Sequence, residues 1–134
     1  DSMQAAVLLE KLTIFDEELE MRNKVNDYYR KSLNNAQHIP ENYHSAHAIF
    51  SITLQSNQDR EKLINRLNNN IPNVVYYKYP IHLMKGFTYL EYKKGDFPIS
   101  ENLAQTIISL PMHPYLSYKD IDFIVMTVKN AIEY

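Results

Sequence analysis

Residues 74–83 read Val-Val-Tyr-Tyr-Lys-Tyr-Pro-Ile-His-Leu, and this stretch decides what kind of fold the chain can form. Its β-branched and aromatic residues predict a strand, which must end at Pro80 because proline has no N–H to donate to a sheet. In such a strand Tyr77 and Tyr79 lie on one face and Tyr76 on the other, so we expect at least one face to pack in the core. The phenol, amine and imidazole groups of this stretch would then lie at or near a loop, where ligand-binding groups commonly lie.

The composition is that of one globular domain, since the chain has 134 residues and 45% of them are hydrophobic. The formal net charge of −2 argues against nucleic acid or an anionic membrane as a partner. No run of about 18 apolar residues is present, so the sequence predicts no membrane-spanning helix. The absence of cysteine excludes disulfides, thiolate catalysis and thiolate zinc sites, and it is compatible with the cytoplasmic location that we expect. With only two glycines, a glycine-rich phosphate loop is also excluded.

Apolar residues at steps of three and four predict one long amphipathic helix over residues 3–33, about 45 Å in length if unbroken. Asp1 and Ser2 are suitable N-cap residues for this helix. Residues 5–9 are apolar on nearly all sides, so we expect this end of the helix to be covered on two sides. Because the chain runs straight into the helix without a leader, we expect it to be a piece of a longer protein.

The remaining segments predict two strands and three helices. They are a strand over residues 46–54, a helix over 60–69 capped by Asn57 or Asp59 and stopped by Asn68-Asn69-Asn70, a strand over 74–79, a helix over 98–109, and a last helix capped by Ser117 and Asp120. The apolar residues predicted to pack inward are Ile49, Phe50, Ile52 and Leu54 of the first strand, Leu63, Ile64 and Leu67 of the helix over 60–69, and Ile121, Ile124, Val125, Val128 and Ile132 of the last helix. Residues 110–114 contain two prolines and are predicted to be irregular. The simplest packing is a small, mainly antiparallel sheet of two or three strands covered by helices on one face, which is an α+β fold.

Three histidines near one another, His38, His44 and His47, suggest zinc as one interpretation. The spacing of His44 and His47 suits a helix, whereas this stretch is predicted to be loop and strand. No cysteine or carboxylate shares the pattern, which favours solvent-exposed or hydrogen-bonded histidines instead. His113 lies between two prolines, and a packed imidazole in a rigid turn explains it.

Tyr76, Tyr77 and Tyr79 form what we call the tyrosine cluster. Lys78 and His82 are the two basic residues closest to it in the sequence. An imidazole on that loop can bind a phosphate, a sugar hydroxyl or a carboxylate, and a phenol ring can stack on a sugar or base. The alternative is that both basic groups are simply solvated. The acidic pairs on the predicted helices are explained by a solvated helix face. Since no Ser-His-Asp arrangement, Walker loop or His-Glu-x-x-His motif is present, the chain has no self-contained active site.

Four stretches, in matching order and spacing, resemble one family. They are Gln-Ala-Ala-Val-Leu-Leu-Glu-Lys-Leu at residues 4–12 with Phe-Asp-Glu-Glu at 15–18, Tyr-Tyr-Lys-Tyr-Pro-Ile-His-Leu at 76–83, Gly-Asp-Phe-Pro at 95–98, and Ser-Leu-Pro-Met-His-Pro at 109–114. They are similar to the C-terminal part of DegT/StrS-type nucleotide-sugar aminotransferases, which are pyridoxal-phosphate (PLP) enzymes of the aspartate aminotransferase fold. The resemblance covers almost the whole chain.

This resemblance implies that residues 1–134 are the C-terminal domain of an enzyme that transfers an amino group from glutamate to a nucleotide-linked keto-sugar, for surface polysaccharide or glycan biosynthesis. In the family the Schiff-base lysine lies in the larger N-terminal domain. We therefore expect no catalytic or PLP-binding residue in this chain, and no activity from the chain alone. The C-terminal domain of the family contacts its own N-terminal domain, closes over the sugar nucleotide and helps to form a homodimer.

The resemblance also implies a set of substrate-binding residues. Tyr77 stands at the family's tyrosine and His82 at its second histidine, whereas Tyr76 replaces the first histidine and Lys78 the first proline. His47 stands where the family often has a histidine or tyrosine before its first strand.

The Met-His-Pro ending and the first helix most resemble the branch that aminates UDP-linked 3-keto uronates. The alternative is a stand-alone α+β protein-interaction or regulatory module, with the tyrosine cluster as its binding surface.

Overall fold

The computed structural model describes residues 1–40, 42–67 and 70–132. Five α-helices, two strands and two short 3₁₀ turns follow one another in these ranges. The elements are α1 (Ser2–Leu12), α2 (Phe15–Ser32), β1 (Phe50–Thr53), α3 (Asn57–Leu67), the 3₁₀ turns Ile81–Leu83 and Lys85–Leu90, α4 (Pro98–Thr106), β2 (Ile107–Leu110) and α5 (Tyr118–Ala131).

The sheet consists of β1 and β2, which pair antiparallel with Phe50 opposite Leu110 and Ile52 opposite Ile108. Alternation along β1 buries Phe50 and Ile52, as the period of two in a strand requires. With helices packed around this small antiparallel sheet, the predicted α+β class is confirmed.

The core lies between the sheet and three helices, α2, α3 and α5. Because α5 carries apolar residues at helical spacing, it buries one stripe in this core, as predicted. The buried residues of that stripe are Ile121, Ile124, Val125 and Val128. Leu63 and Leu67 of α3 are also fully buried, so the predicted inner face of that helix is confirmed.

The predicted strand over residues 74–79 is wrong. Val74 makes one isolated bridge to Ser109, exchanging both backbone hydrogen bonds at 3.2 and 2.9 Å, and the chain then leaves the sheet. The second strand is β2 instead, and it takes the end of the predicted helix over residues 98–109. The β-branched pair Ile107 and Ile108 suits a strand better than a helix, and Leu110 pairs with Phe50 before the prolines begin.

The predicted long helix over residues 3–33 is broken between α1 and α2. The N–H of Thr13 donates to the carbonyl of Glu10 (3.2 Å), and the N–H of Ile14 donates to the carbonyl of Lys11 (3.3 Å). The hydrogen bonds therefore span three residues here instead of the four of an α-helix. The Thr13 hydroxyl donates to the same Glu10 carbonyl at 2.7 Å, which offers this carbonyl an alternative to the helical hydrogen bond. Ile14 then takes φ −113° and ψ 5°, outside the helical region.

Within this chain, the expected cover over residues 5–9 is absent from the described part, and α1 buries none of its residues. Its apolar side chains are 62–79% exposed: Met3, Val7, Leu8, Leu9 and Leu12. The residues are helical because Asp1 and Gln4 form a capping box, which confirms the predicted N-cap. A folded helix with an uncovered apolar face is therefore a prominent surface feature of the chain.

The first strand is shorter than the predicted range of residues 46–54. His47 has φ 46°, a left-handed conformation that cannot continue a strand, and Ile49 is 42% exposed rather than packed. Helix α3 begins earlier than predicted, because the Ser56 hydroxyl accepts a hydrogen bond from the Asp59 N–H at 3.1 Å. The cap is thus Ser56, not Asn57 or Asp59.

The predicted stop of this helix falls partly on Asn68 and Asn69, which lie outside the described residues. For the last helix, Ser117 and Asp120 form the predicted capping box. None of the helices in the described ranges is long and apolar enough to cross a membrane.

Candidate functional site

The tyrosine cluster lies on the surface at the start of what we call the aromatic segment, residues 76–97. Tyr76, Tyr77 and Tyr79 are 56%, 71% and 64% exposed, so the expectation that one face of the cluster packs in the core is wrong. The rings of Tyr76 and Tyr77 lie 6.5 Å apart, and Lys78 between Tyr77 and Tyr79 is exposed as well. Because the segment leaves the sheet after Val74, nothing forces its side chains to alternate between core and solvent.

Tyr76 borders an open groove of about 190 Å³ at the edge of the sheet. Ala48 and Ile49 form one side of this groove, and Val74 and Met112 also line it. A ring beside an apolar groove can stack on a flat ligand while its hydroxyl reaches solvent or a polar group. This is the place where the structure brings the tyrosine cluster next to the sheet.

His82 is placed differently from the other predicted site residues. It lies on the 3₁₀ turn Ile81–Leu83, its side chain is 8% exposed, and its Nε2 is 3.0 Å from Oε1 of Glu101 in α4. Its ring also packs on Phe97, with the centroids 4.8 Å apart. The histidine is therefore held by a carboxylate and an aromatic ring, in contrast to a solvated loop histidine.

Glu101 is the functional candidate that sequence reasoning did not identify. The same Oε1 that contacts His82 accepts the backbone N–H of Gly95 at 2.7 Å. These hydrogen bonds, that of Gly95 first, lower the pKa of Glu101 although burial opposes them, so the carboxylate is ionised at neutral pH. Gly95 has φ 101°, a conformation that side chains rarely adopt, which explains a glycine here.

A signal for Glu101 was present in the sequence, because an acidic residue in the first turn of a helix that starts at Pro98 can reach back to a preceding turn. What the sequence lacked was any sign that the other partner would be His82, 19 residues away.

His47 lies in a separate polar pocket. The pocket is lined by Asn26 and Arg30 of α2 and by Ser45, whose hydroxyl accepts the His47 N–H at 3.1 Å. Burial, and then the charge of Arg30, lower the pKa of His47, so the imidazole is neutral at pH 7. Ile49 borders both this pocket and the groove beside Tyr76, so the two sites adjoin.

The predicted site residues therefore do not converge on one point within the described ranges. Tyr76, Tyr77 and Lys78 are close to one another on the surface, His47 lies in the neighbouring pocket, and His82 is held against Glu101 farther along the aromatic segment. His38 and His44 are exposed, and the described residues contain no group of three or more metal-ligating side chains placed to hold an ion.

The described residues do not fit PLP as a bound cofactor. A Schiff-base lysine must lie in an enclosed site, whereas every lysine of the chain is exposed to solvent. No step of a reaction is therefore assigned to a lysine of this chain.

Comparison with known proteins gives a consistent result. The sequence profile of the DegT/DnrJ/EryC1/StrS aminotransferase family matches residues 1–129. The UDP-2-acetamido-2-deoxy-3-oxo-D-glucuronate aminotransferase of Pseudomonas aeruginosa is 30% identical over 134 residues, which cover 97% of this chain and 36% of that protein. The erythromycin biosynthesis sensory transduction protein EryC1 of Saccharopolyspora erythraea is 30% identical over 132 residues, covering 96% of this chain and 36% of that protein.

Among solved structures, a DegT DnrJ EryC1 StrS aminotransferase from Brucella abortus superposes with a TM-score of 0.87 at 37% identity, covering 100% of this chain and 36% of that one. The chain thus spans about a third of the length of the curated relatives that it matches.

Proposed function

This chain belongs to the DegT/DnrJ/EryC1/StrS aminotransferase family, and we propose that residues 1–134 are the C-terminal domain of a nucleotide-sugar aminotransferase. The observation that carries the proposal is the family match over residues 1–129 together with the share of the relatives that the chain spans, 36%. In this proposal the domain orients and encloses the sugar nucleotide, and the bond-making groups belong to the rest of the protein.

The proposed reaction transfers the amino group of glutamate to a keto-sugar attached to a nucleotide. Enzymes of this family use PLP, which acts as an electron sink when bound. Since no lysine of this chain is enclosed, the residues that hold PLP would lie in the other part of the protein. We propose a UDP-linked 3-keto uronate as the substrate, because the Met-His-Pro sequence ending at Pro114 and the first helix resemble that branch.

Support for this branch comes from the Pseudomonas aeruginosa relative, whose name specifies a UDP-linked 3-oxo-glucuronate. A relative from Micromonospora megalomicea, also 30% identical, acts on a dTDP-linked sugar by its name, so the nucleotide is the least constrained part of the proposal.

Tyr77, Tyr76 and Lys78 are proposed to contact the sugar nucleotide from the exposed start of the aromatic segment. Their exposure supports this role, because the groups that close over a ligand must be accessible before it binds. Lys78 would offset negative charge on the diphosphate or uronate. His82 and His47 are proposed to contribute imidazoles to the same ligand, His82 from the 3₁₀ turn Ile81–Leu83 and His47 from the adjoining pocket.

The test is steady-state kinetics of the whole protein with Tyr77→Phe and with His82→Ala. We expect each substitution to lower kcat/KM for the sugar nucleotide by about tenfold, the equivalent of about 1.4 kcal/mol, since each removes one polar contact. The visible absorbance of bound PLP should remain unchanged. Tyr89→Phe serves as the control, because Tyr89 is 73% exposed and lies farther along the segment.

Unchanged kinetics in both site variants would remove these site assignments. A stand-alone interaction module, the alternative function, would be supported instead if the whole protein formed no PLP absorbance and no amino-sugar product.

A further inference from the structure

The aromatic segment is unusually exposed for a stretch with so many large side chains. Its 3₁₀ turns contain no buried residue, and its hydrogen bonds are mainly local, such as the Phe87 N–H to the Met84 carbonyl at 2.9 Å. A segment with so little buried area has few contacts that could hold it in one conformation. The contacts that do hold it therefore determine how the tyrosine cluster is presented.

In the described part of the chain, the hydrogen bonds among those contacts converge on one residue. The hydrogen bonds that join residues 76–96 to the rest of the chain end on Glu101, whose Oε1 accepts from both His82 Nε2 and Gly95 N–H. The Glu101 N–H in turn donates to the carbonyl of Phe97 at 3.0 Å. Glu101 thus connects the first 3₁₀ turn of the segment, its last turn and the start of α4.

Aromatic rings enclose this contact. His82 packs on Phe97 at 4.8 Å, and Tyr92 meets the edge of Phe97 at 5.0 Å. The side chain of Glu101 is 11% exposed and that of His82 is 8% exposed, so water competes little for their hydrogen bond. Because an ionised carboxylate can only accept, Nε2 of His82 must carry the proton, which selects the tautomer and fixes the ring.

We propose that Glu101 is a positioning residue, which orients His82 and anchors the aromatic segment so that the tyrosine cluster is held ready for the sugar nucleotide. The proposal rests on the proposed function for its ligand, but the anchoring itself rests only on the geometry. Glu101 acts through His82 and Gly95, so it is not assigned any contact with substrate. It is a preorganising group, one that lowers the cost of ordering the segment when a ligand binds.

Two substitutions of Glu101 in the whole protein distinguish its role as a hydrogen-bond acceptor that orients His82 from the effect of its negative charge. Glu101→Ala removes the acceptor, whereas Glu101→Gln keeps an oxygen at the position of Oε1, which can still accept from both donors. We expect Glu101→Ala to raise KM for the sugar nucleotide by about tenfold with kcat changed by less than about twofold, and Glu101→Gln to restore KM to within about threefold of the parent. In a His82→Ala background, the effect of Glu101→Ala on KM should shrink to less than about threefold.

The matched control is Asp96→Ala. Asp96 accepts the Lys93 N–H at 2.7 Å in the same turn and, among the described residues, makes no hydrogen bond to His82, so its loss loosens the turn without releasing the imidazole. We expect this variant to leave KM within about twofold of the parent. An increase as large as that of Glu101→Ala would show that any disturbance of the turn is sufficient, and it would overturn the specific role of Glu101.

A second measurement tests the anchor without substrate. Nitrogen-15 spectra of the histidine rings report which ring nitrogen carries the proton. We expect His82 to be the Nε2–H tautomer in the parent and in Glu101→Gln, and to become a mixture of tautomers in Glu101→Ala. If the tautomer of His82 is the same in all three proteins, the positioning role is wrong. If the tautomer shifts as expected but the whole protein aminates no sugar nucleotide, the proposed function fails while the anchor stands.

Discussion

At the scale of single residues, Glu18 is a buried charged residue with two polar partners. The residue, on α2, is 8% exposed, and its carboxylate accepts the Tyr115 hydroxyl at 2.6 Å and lies 3.0 Å from the Lys11 ammonium of α1. A buried carboxylate is tolerated only with such partners. In the part of the chain that the structure describes, Lys11 and Glu18 form an ion pair that joins α1 to α2 across the break at Thr13.

The surroundings of Glu18 predict how stability depends on pH. The hydrogen bond from Tyr115, followed by that from Lys11, lowers the pKa of Glu18 below its ordinary value of 4.5. Because the folded state binds this proton less readily than the unfolded chain, the stabilisation is present above pH 4.5 and is lost as the pH falls through the lowered value. We expect Glu18→Gln to lower Tm at neutral pH and to reduce the further loss of Tm on acidification to about pH 3.

Thermal melts over this pH range test the prediction, with Glu20→Gln, an exposed glutamate on the same helix, as the control. Identical acid sensitivity in the parent and both variants would show that Glu18 does not couple folding to pH.

At the scale of elements, helix boundaries follow local chemistry closely. The Ser117 hydroxyl accepts the Asp120 N–H at 3.2 Å, and the Asp120 carboxylate accepts the Ser117 N–H at 3.3 Å, so α5 starts with a complete capping box. The helix that follows supplies a continuous apolar stripe to the core. A correct start for α5 is thus a condition for the packing of the whole stripe.

Removing the cap should weaken the fold without changing it. We expect Ser117→Ala to lower the free energy of unfolding by about 1 kcal/mol, because an N–H at the helix start loses its acceptor. Urea denaturation of the whole protein measures this loss. Ser100→Ala, an exposed serine in the first turn of α4, should change stability by less than about 0.5 kcal/mol, and an equal loss in the two variants would contradict the prediction.

At the scale of the whole molecule, the apolar residues of α1 are uncovered, and the chain spans about a third of the length of its relatives. This helix exposes five large apolar side chains by at least 62%, and exposed apolar residues grouped on one element are typical of an interaction surface. We propose that a second copy of the chain covers it, in agreement with the homodimer that the family resemblance implies.

This proposal predicts concentration-dependent association of residues 1–134. We expect Leu9→Lys to weaken the association constant at least about tenfold, or about 1.4 kcal/mol, because a charged side chain would have to be buried in an apolar contact. Sedimentation equilibrium measures the constant. Met126→Lys, at a similarly exposed position (63%) on α5, is the matched control and should have no effect. A monomer at high concentration would rule out the self-contact.

Local patterns by themselves determined the α+β class, the inner faces of α3 and α5, the caps at Asp1 and Ser117 and, through four short motifs, the family. The caps and the inner faces depend on residues within a few positions of one another, where spacing and hydrogen bonding act directly.

Only the tertiary structure decided the features that join distant residues. The β-branched residues at 74–75 and at 107–108 have similar strand propensity, and only β2 gains a partner strand along its length, because Phe50 and Ile52 lie opposite it. The contact of His82 with Glu101 could not be predicted from the sequence either. Nothing in the neighbouring residues distinguishes a solvated histidine from one that folding brings next to a carboxylate. Which distant residues pair depends on how much apolar surface the whole fold buries. That amount cannot be deduced from any short stretch of the sequence.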